Sequence, residues 1–214
     1  VTDTRTRLIE EAERLFAERG VHAVSLREIA ASAGQRNTSA VAYHFGTKEA
    51  LVTAIYRHRL GPTNEVQLRR LADLDDQGRG GDLRALVEVF VRPMIERLGT
   101  PDRPSRFLRF VANALYVARI APYDLGAEDW TRALYRLLTR IDGCIADLPP
   151  PVRSHRRDFF VGLLLHTLAQ HEGLIEAGHR GRAAADRELL AADLVDAGVA
   201  VLTAPVSAAT RDLL

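Results

Sequence analysis

Residues 25–51 restrict what this chain can fold into more tightly than any other stretch. Ser25 and Glu28, three residues apart, form a capping box in which hydroxyl and carboxylate satisfy free backbone N–H groups at a helix start. Leu26, Ile29, Ala30 and Ala33 then fall on one helical face, and Gly34 stands where that short helix must stop. The next segment, Gln35-Arg36-Asn37-Thr38-Ser39-Ala40-Val41-Ala42-Tyr43-His44-Phe45, reads as a second helix. Its start is polar, and Val41 and Phe45, at i and i+4, would hold it to a core. Thr47 is a suitable N-cap for a third helix beginning Lys48-Glu49-Ala50-Leu51. A short helix, a tight turn and a polar-fronted helix make a helix-turn-helix, whose front side chains can reach base edges and phosphates in a major groove. The segment points to DNA binding.

The remaining periodicity is helical, with almost no strand signal. Leu8, Ala12, Leu15 and Phe16 give a first helix its buried stripe, ended by Gly20. The helix from Lys48 is expected to run to about Leu60, where Gly61-Pro62 kinks or breaks it before a further helix to Asp76. The loop Gln77-Gly78-Arg79-Gly80-Gly81 lacks the spacing of a phosphate-binding loop and follows no strand, so it reads as a linker. Asp82 caps a helix to Leu98, and Gly99 to Pro104 makes a break. Helices follow over about 105–120, 127–146, 150–177 and 184–202.

Residues 4 to about 60 resemble the DNA-binding domain of the TetR (tetracycline-repressor-like) family of bacterial transcription regulators. The resemblance rests on Ile9-x-x-Ala12-x-x-Leu15-Phe16, Gly20, Ser25-Leu26-Arg27-Glu28-Ile29-Ala30, Ala33-Gly34 and Tyr43-His44-Phe45-Gly46-Thr47-Lys48-Glu49-Ala50-Leu51. The run from Gln35 to Phe45 is one residue longer than the usual pattern, and Ala42 stands where an aromatic often sits. The resemblance implies an all-α protein of nine or ten helices. Residues 1–47 would form a three-helix DNA-binding domain, and residues 48–214 a helical ligand-binding and dimerisation domain. It also implies a homodimeric repressor that binds a palindromic double-stranded operator and is released by a small-molecule effector of unknown identity. An activator or ligand-independent regulator of the same fold is one alternative. A small-molecule binding protein that no longer recognises DNA is another.

The expected DNA-facing residues are Ser25, Arg27, Gln35, Arg36, Asn37, Thr38, Ser39, Tyr43, His44 and Lys48. Arg36 suits guanine and Asn37 adenine. By resemblance Tyr43, His44 and Lys48 face phosphates, although Tyr43 or His44 could instead pack inward on Phe45. Net charge is only +1 over 214 residues. In residues 25–60, Arg27, Arg36, Lys48, Arg57 and Arg59 outweigh Glu28 and Glu49, and five minus two leaves a local excess of three that a dimer would double.

Phe90, Met94, Phe107, Phe110, Asn113, Tyr116 and Trp130 are candidate linings of an effector pocket between the middle helices. For any one of them core packing is the stronger reading, since an aromatic at helical spacing is usually core, and Asn113 could bond a neighbouring backbone. The last two long helices are the expected dimer interface, through Phe160, Leu164, Leu168 and His171 on one and Leu190, Leu194, Gly198 and Val201 on the other. The alternative is that these faces bury against their own domain. His166 and His171 stand about 140° apart on a helix, too far to grip one metal. No catalytic signature appears, so neither an enzyme nor a cofactor is expected. Cys144, the sole cysteine, reads as a small apolar residue and excludes an intrachain disulfide. With no apolar core of a signal peptide and no membrane-length apolar run, the expectation is a soluble cytoplasmic protein without membrane contact.

Overall fold

The computed structural model describes residues 3–37, 39–100, 102–116, 128–178 and 187–214. Helix α1 (Thr4–Arg19) starts at Asp3, whose side chain accepts from Thr6 N at 2.9 Å, and ends at Gly20, whose N–H bonds to Phe16 O. Helix α2 (Leu26–Ser32) carries the anticipated capping box: Glu28 N donates to Ser25 Oγ at 3.2 Å, and Ser25 N donates to Glu28 Oε2 at 2.7 Å. Helix α3 (Ala40–Phe45) is short and ends at Gly46. Ser39, not Arg36, precedes it, so Gln35, Arg36 and Asn37 occupy the turn before the helix rather than its first turn. Asn37 makes that turn: its side-chain oxygen accepts from Ser39 N at 2.9 Å, and this local bond competes with helix propagation. Thr38 lies outside the described residues.

Helix α4 (Lys48–Asp76) is continuous for 29 residues and carries Pro62 inside it, where the sequence predicts a break. Proline removes one intrahelical donor and crowds the preceding turn, at a cost of about 3 kcal/mol or more. Three buried polar residues just beyond it hold the helix in place. Ala133 N donates to Asn64 Oδ1 at 2.7 Å, Asn64 Nδ2 donates to Asp129 O at 3.0 Å, and Thr63 and Gln67 are buried beside it. These tertiary anchors outweigh the local signal.

Helix α5 (Leu83–Ile95), capped by Asp82, stops short of Leu98. The break at 99–104 is a two-residue antiparallel pair, β1 (Gly99–Thr100) with β2 (Arg103–Pro104). Gly99 has a φ of +81°, and a side chain there would also collide with Ser105 N and Arg103 O. Helix α6 (Phe107–Tyr116), a 3-10 turn (Asp129–Thr131), α7 (Arg132–Cys144), α8 (Pro150–Glu176), α9 (Arg187–Thr203) and a last turn α10 (Ala208–Arg211) complete ten α-helices among the described residues.

Helix α1 packs on α6 and α4, α6 packs on α8, and α9 lies across α5 and α8. The core is continuous through these junctions. Phe16 of α1 lies 6.2 Å from Phe110 of α6, and Tyr56 of α4 lies 5.2 Å from the same ring, all three side chains being fully buried.

Candidate nucleic-acid interface and effector cavity

The helix-turn-helix presents one polar front. Arg27, Arg36, Asn37, Ser39 and His44 are exposed, and Tyr43 is 86% exposed with its ring 5.2 Å from that of His44. Tyr43 therefore points outward rather than onto Phe45. The back is held by Ile29, Ala30, Val41 and Leu51, all fully buried. Three arginines on α1 pin this unit from behind. Arg7 Nη2 donates to Ala33 O at 2.8 Å, beside Gly34. Arg14 donates to Ser32 Oγ at 2.9 Å and to Glu11. Arg5 stands 5.0 Å over the Phe45 ring, which brings an exposed cation next to α3. Sequence reasoning misses Arg5; its only signal is a positive charge near the start of the first helix.

Two of the expected contacts also have structural roles. Ser25 is the cap of α2, and Lys48, half-buried, donates to Val21 O at 3.1 Å, tying the start of α4 to the turn after α1. Glu28 has its carboxyl lowered to about 2, first by the Ser25 backbone N–H, then by the Ser25 hydroxyl and Arg19. Arg19 also pairs with Glu28 at 2.9 Å, so the capping box is a fixed anion.

Between this unit and the helical body lies a cavity of about 520 Å³, lined by residues from α1, α4, α5, the β1–β2 hairpin, α6 and α8. Its apolar wall is Leu60, Met94, Phe107 and Leu108, and its polar lining includes Glu10, Arg59, Arg97, Arg103 and Glu172. Of the expected lining residues, Met94 and Phe107 are part of it. Phe110 is instead the buried core ring against Phe16 and Tyr56, and Phe90 packs on Phe160 with ring centroids 5.4 Å apart. Trp130 is buried away from this cavity, and nothing is described of the Tyr116 side chain. Asn113 acts elsewhere. Its amide donates to Ala17 O and Arg109 O, both at 3.2 Å, which clamps the end of α1 to α6.

Charged pairs reinforce the same junction. Arg59 Nε donates to Glu13 Oε2 at 2.6 Å and its Nη2 to Glu13 Oε1 at 2.9 Å. Glu172, fully buried, accepts from Ser105 Oγ at 2.6 Å and from Arg109 N at 3.0 Å, and burial raises its carboxyl above the ordinary range. Arg106 and Arg109 both pair with Glu176. None of these pairings is legible in the sequence, because each joins helices far apart in the chain.

The outer helices require a correction. Phe160, Leu164, Leu168 and Leu194 are buried within the chain, and a Cβ on Gly198 would stand 2.8 Å from Phe160 Cε2 and 3.3 Å from Val87 Cγ1. Gly198 thus lets α9 approach α8 and α5 of its own chain, and these five residues do not form a subunit surface. His171, Leu190 and Val201 are half-buried, with His171 Nδ1 3.0 Å from Thr167 O. The exposed apolar groups are on the opposite faces, at Phe159 (58%) and Leu189 (64%). Residues 159–165 of α8 are apolar without a break, so periodicity alone does not tell which side faces inward. Cys144 is half-buried, its Sγ donating to Gly81 O at 3.3 Å.

Among the described residues no group of three or more His, Cys, Asp and Glu side chains is placed to hold a metal ion. No helix there is long and apolar enough to cross a membrane. A model of the family described as bacterial regulatory proteins, tetR family, matches residues 8–55, from α1 into α4. No curated protein matches the chain. Among solved structures, a TetR family transcription regulator from Marinobacter aquaeolei VT8 is similar over 91% of this chain and 94% of its own, at 20% identity and a TM-score of 0.56. A HlyIIR mutant with residues 170–185 substituted by alanine is similar over 91% and 94%, at 16% identity and a TM-score of 0.53. The fatty acid degradation regulator FadR from Bacillus halodurans is similar over 94% and 98%, at 13% identity and a TM-score of 0.52. At such identities these structures speak for the fold alone, and the family match speaks for the N-terminal unit. The capped, polar-fronted helix-turn-helix thus matches the tetR family of bacterial regulatory proteins over residues 8–55, and the whole chain shares the fold of these solved structures.

Proposed function

We propose that the protein is a ligand-responsive transcriptional repressor that acts as a homodimer on a palindromic operator. The observation that carries this reading is the exposed front of Arg27, Arg36, Asn37, Ser39, Tyr43 and His44 on a unit whose back is fully buried. Arg36 and Asn37, in the turn, and Tyr43 and His44, on α3, are the side chains assigned to the major groove and its phosphates. Residues 1–47 serve the DNA, and residues 48–214 serve effector binding and dimerisation. Two-fold operators need a two-fold protein. Exposed Phe159 of α8 and Leu189 of α9 support a dimer through the outer faces of those helices. The cavity beside Arg59 and Phe107 is the effector site in this reading.

The test is electrophoretic retardation of the DNA flanking the gene, over a salt series. A specific band with two chains per site, weakening steeply as salt rises, is the expected outcome. Equal retardation of all fragments, or none, overturns the operator reading.

A further inference from the structure

The effector cavity carries a charge pattern that narrows what it takes. Its lining holds three arginines, Arg59, Arg97 and Arg103, and two carboxylates, Glu10 and Glu172. Arg59 is engaged by Glu13 through Nε and Nη2. Arg97 and Arg103 are exposed, and among the described residues neither has a carboxylate within ion-pairing distance. Arg97 precedes β1 and Arg103 lies in β2 of the same hairpin. The apolar lining is more sheltered: Phe107 and Leu108 are buried, and Leu60 and Met94 are packed against the core.

On the reading that this cavity is the effector site, we propose that it binds a small amphipathic monocarboxylate, with the carboxylate held by Arg97 and Arg103 and the apolar body laid along Leu60, Met94, Phe107 and Leu108. A guanidinium presents two parallel N–H groups that match a carboxylate, and two such groups are available. With Arg59 paired to Glu13, Arg97 and Arg103 are the lining cations left to meet an anion. A polyanion would set its surplus charge against Glu10 and Glu172. The volume, about 520 Å³, lies within the range of roughly 300–1,000 Å³ usual for small-molecule sites.

The test is calorimetric titration of the whole chain, without DNA, using octanoate and 4-phenylbutyrate as probes. Their neutral counterparts 1-octanol and 4-phenyl-1-butanol, and inorganic phosphate, complete the series. At least one carboxylate should bind once per chain, with its alcohol weaker by about tenfold or more, as loss of charge-assisted hydrogen bonds requires. Phosphate, lacking the apolar body, should bind more weakly still. The double variant Arg97→Gln, Arg103→Gln should lose about tenfold or more for the carboxylate. Arg69→Gln, an exposed arginine of α4 outside the cavity, should change nothing. The proposal is overturned by absence of binding for both carboxylates, by equal affinity for acid and alcohol, by phosphate matching the acids, or by an unaffected double variant. Because no DNA is present, such a result leaves the operator reading to stand or fall on its own retardation assay.

Discussion

Glu13 and Arg59 join the DNA-reading unit to the body, and the cost of breaking them should be lopsided. Glu13 is 2% exposed, and both its oxygens are bound by Arg59, one N–H to each. The Arg59 side chain keeps a third of its surface in solvent. Arg59→Met therefore strands a carboxylate in the core, which costs about 3–5 kcal/mol. Glu13→Gln leaves a guanidinium that water can still reach, and the loss is that of charge-assisted hydrogen bonds, about 1–3 kcal/mol. The double variant Glu13→Gln, Arg59→Met removes the stranded charge and should recover much of the difference, giving a coupling of about 1–3 kcal/mol. Urea titrations of the four proteins supply each value from the midpoint and slope. If both single variants cost the same, or if Arg59→Met costs below about 1 kcal/mol as exposed pairs do, the pair is a surface contact and the reasoning fails.

Gly198→Val should lower stability by about 1–3 kcal/mol through overpacking against Phe160 and Val87, and an unchanged thermal midpoint would show that α9 has room to slide. Phe159→Glu should leave chain stability within about 0.5 kcal/mol while dissociating the dimer in sedimentation, and a persistent dimer would move the interface off the outer face of α8. Arg36→Ala or Asn37→Ala should weaken operator binding by about 1–3 kcal/mol and relax one position per half-site in retardation assays, and a uniform loss on every sequence would reassign them to phosphates. Glu28, held near 2 in the folded chain against its ordinary 4.5, contributes stability that is complete above 4.5 and is lost as pH falls through 2. The stability difference between the natural chain and Glu28→Gln should therefore be flat from neutral pH down to 4.5 and change only below it. A slope near pH 6 would implicate another group.

What the sequence discloses and what it withholds divide along a physical line. Features written within one helical turn are legible: the Ser25–Glu28 box, the buried stripe of α1, the caps at Thr47 and Asp82 and the stop at Gly34. Local rules fail where distant groups decide. Pro62 signals a break, yet Asn64 bonding Ala133 and Asp129 carries α4 past it. Arg36 and Asn37 look like a helix start, but the Asn37 side chain closes a turn on Ser39 N and delays α3 to Ala40. The apolar run around Asn113 shows that its amide needs a partner, but that partner, Ala17 O, lies 96 residues away. The aromatics of the middle helices suggest a cavity among themselves. It lies instead where α1 meets α4, α6 and α8, and most of its polar lining comes from arginines and glutamates that look like ordinary surface charge in the sequence.

That position bears on how an effector would act. Helix α1 carries the back of the DNA-reading unit through Arg7 and Arg14, and it is fastened to the body at Glu13–Arg59, at Ala17–Asn113 and at the Phe16–Phe110 stack. Arg59 and Phe107, which line the cavity, belong to the same two helices, α4 and α6, that hold these fastenings. A ligand that favours a different seating of α4 on α6 must shift α1, and the end of α2 moves with it through Arg7 and Arg14, carrying α3, which packs on α2. In a dimer the recognition helices need to stay about 34–36 Å apart to enter successive major grooves, so a modest tilt of each unit is enough to spoil the fit. Tight binding alone does not produce this. The ligand must prefer the wrongly spaced state, and operator must then weaken ligand binding by the same factor. The polar fastenings of α1 are thus where such a preference would be set, since each bond is short and depends on the relative placement of the two helices it joins.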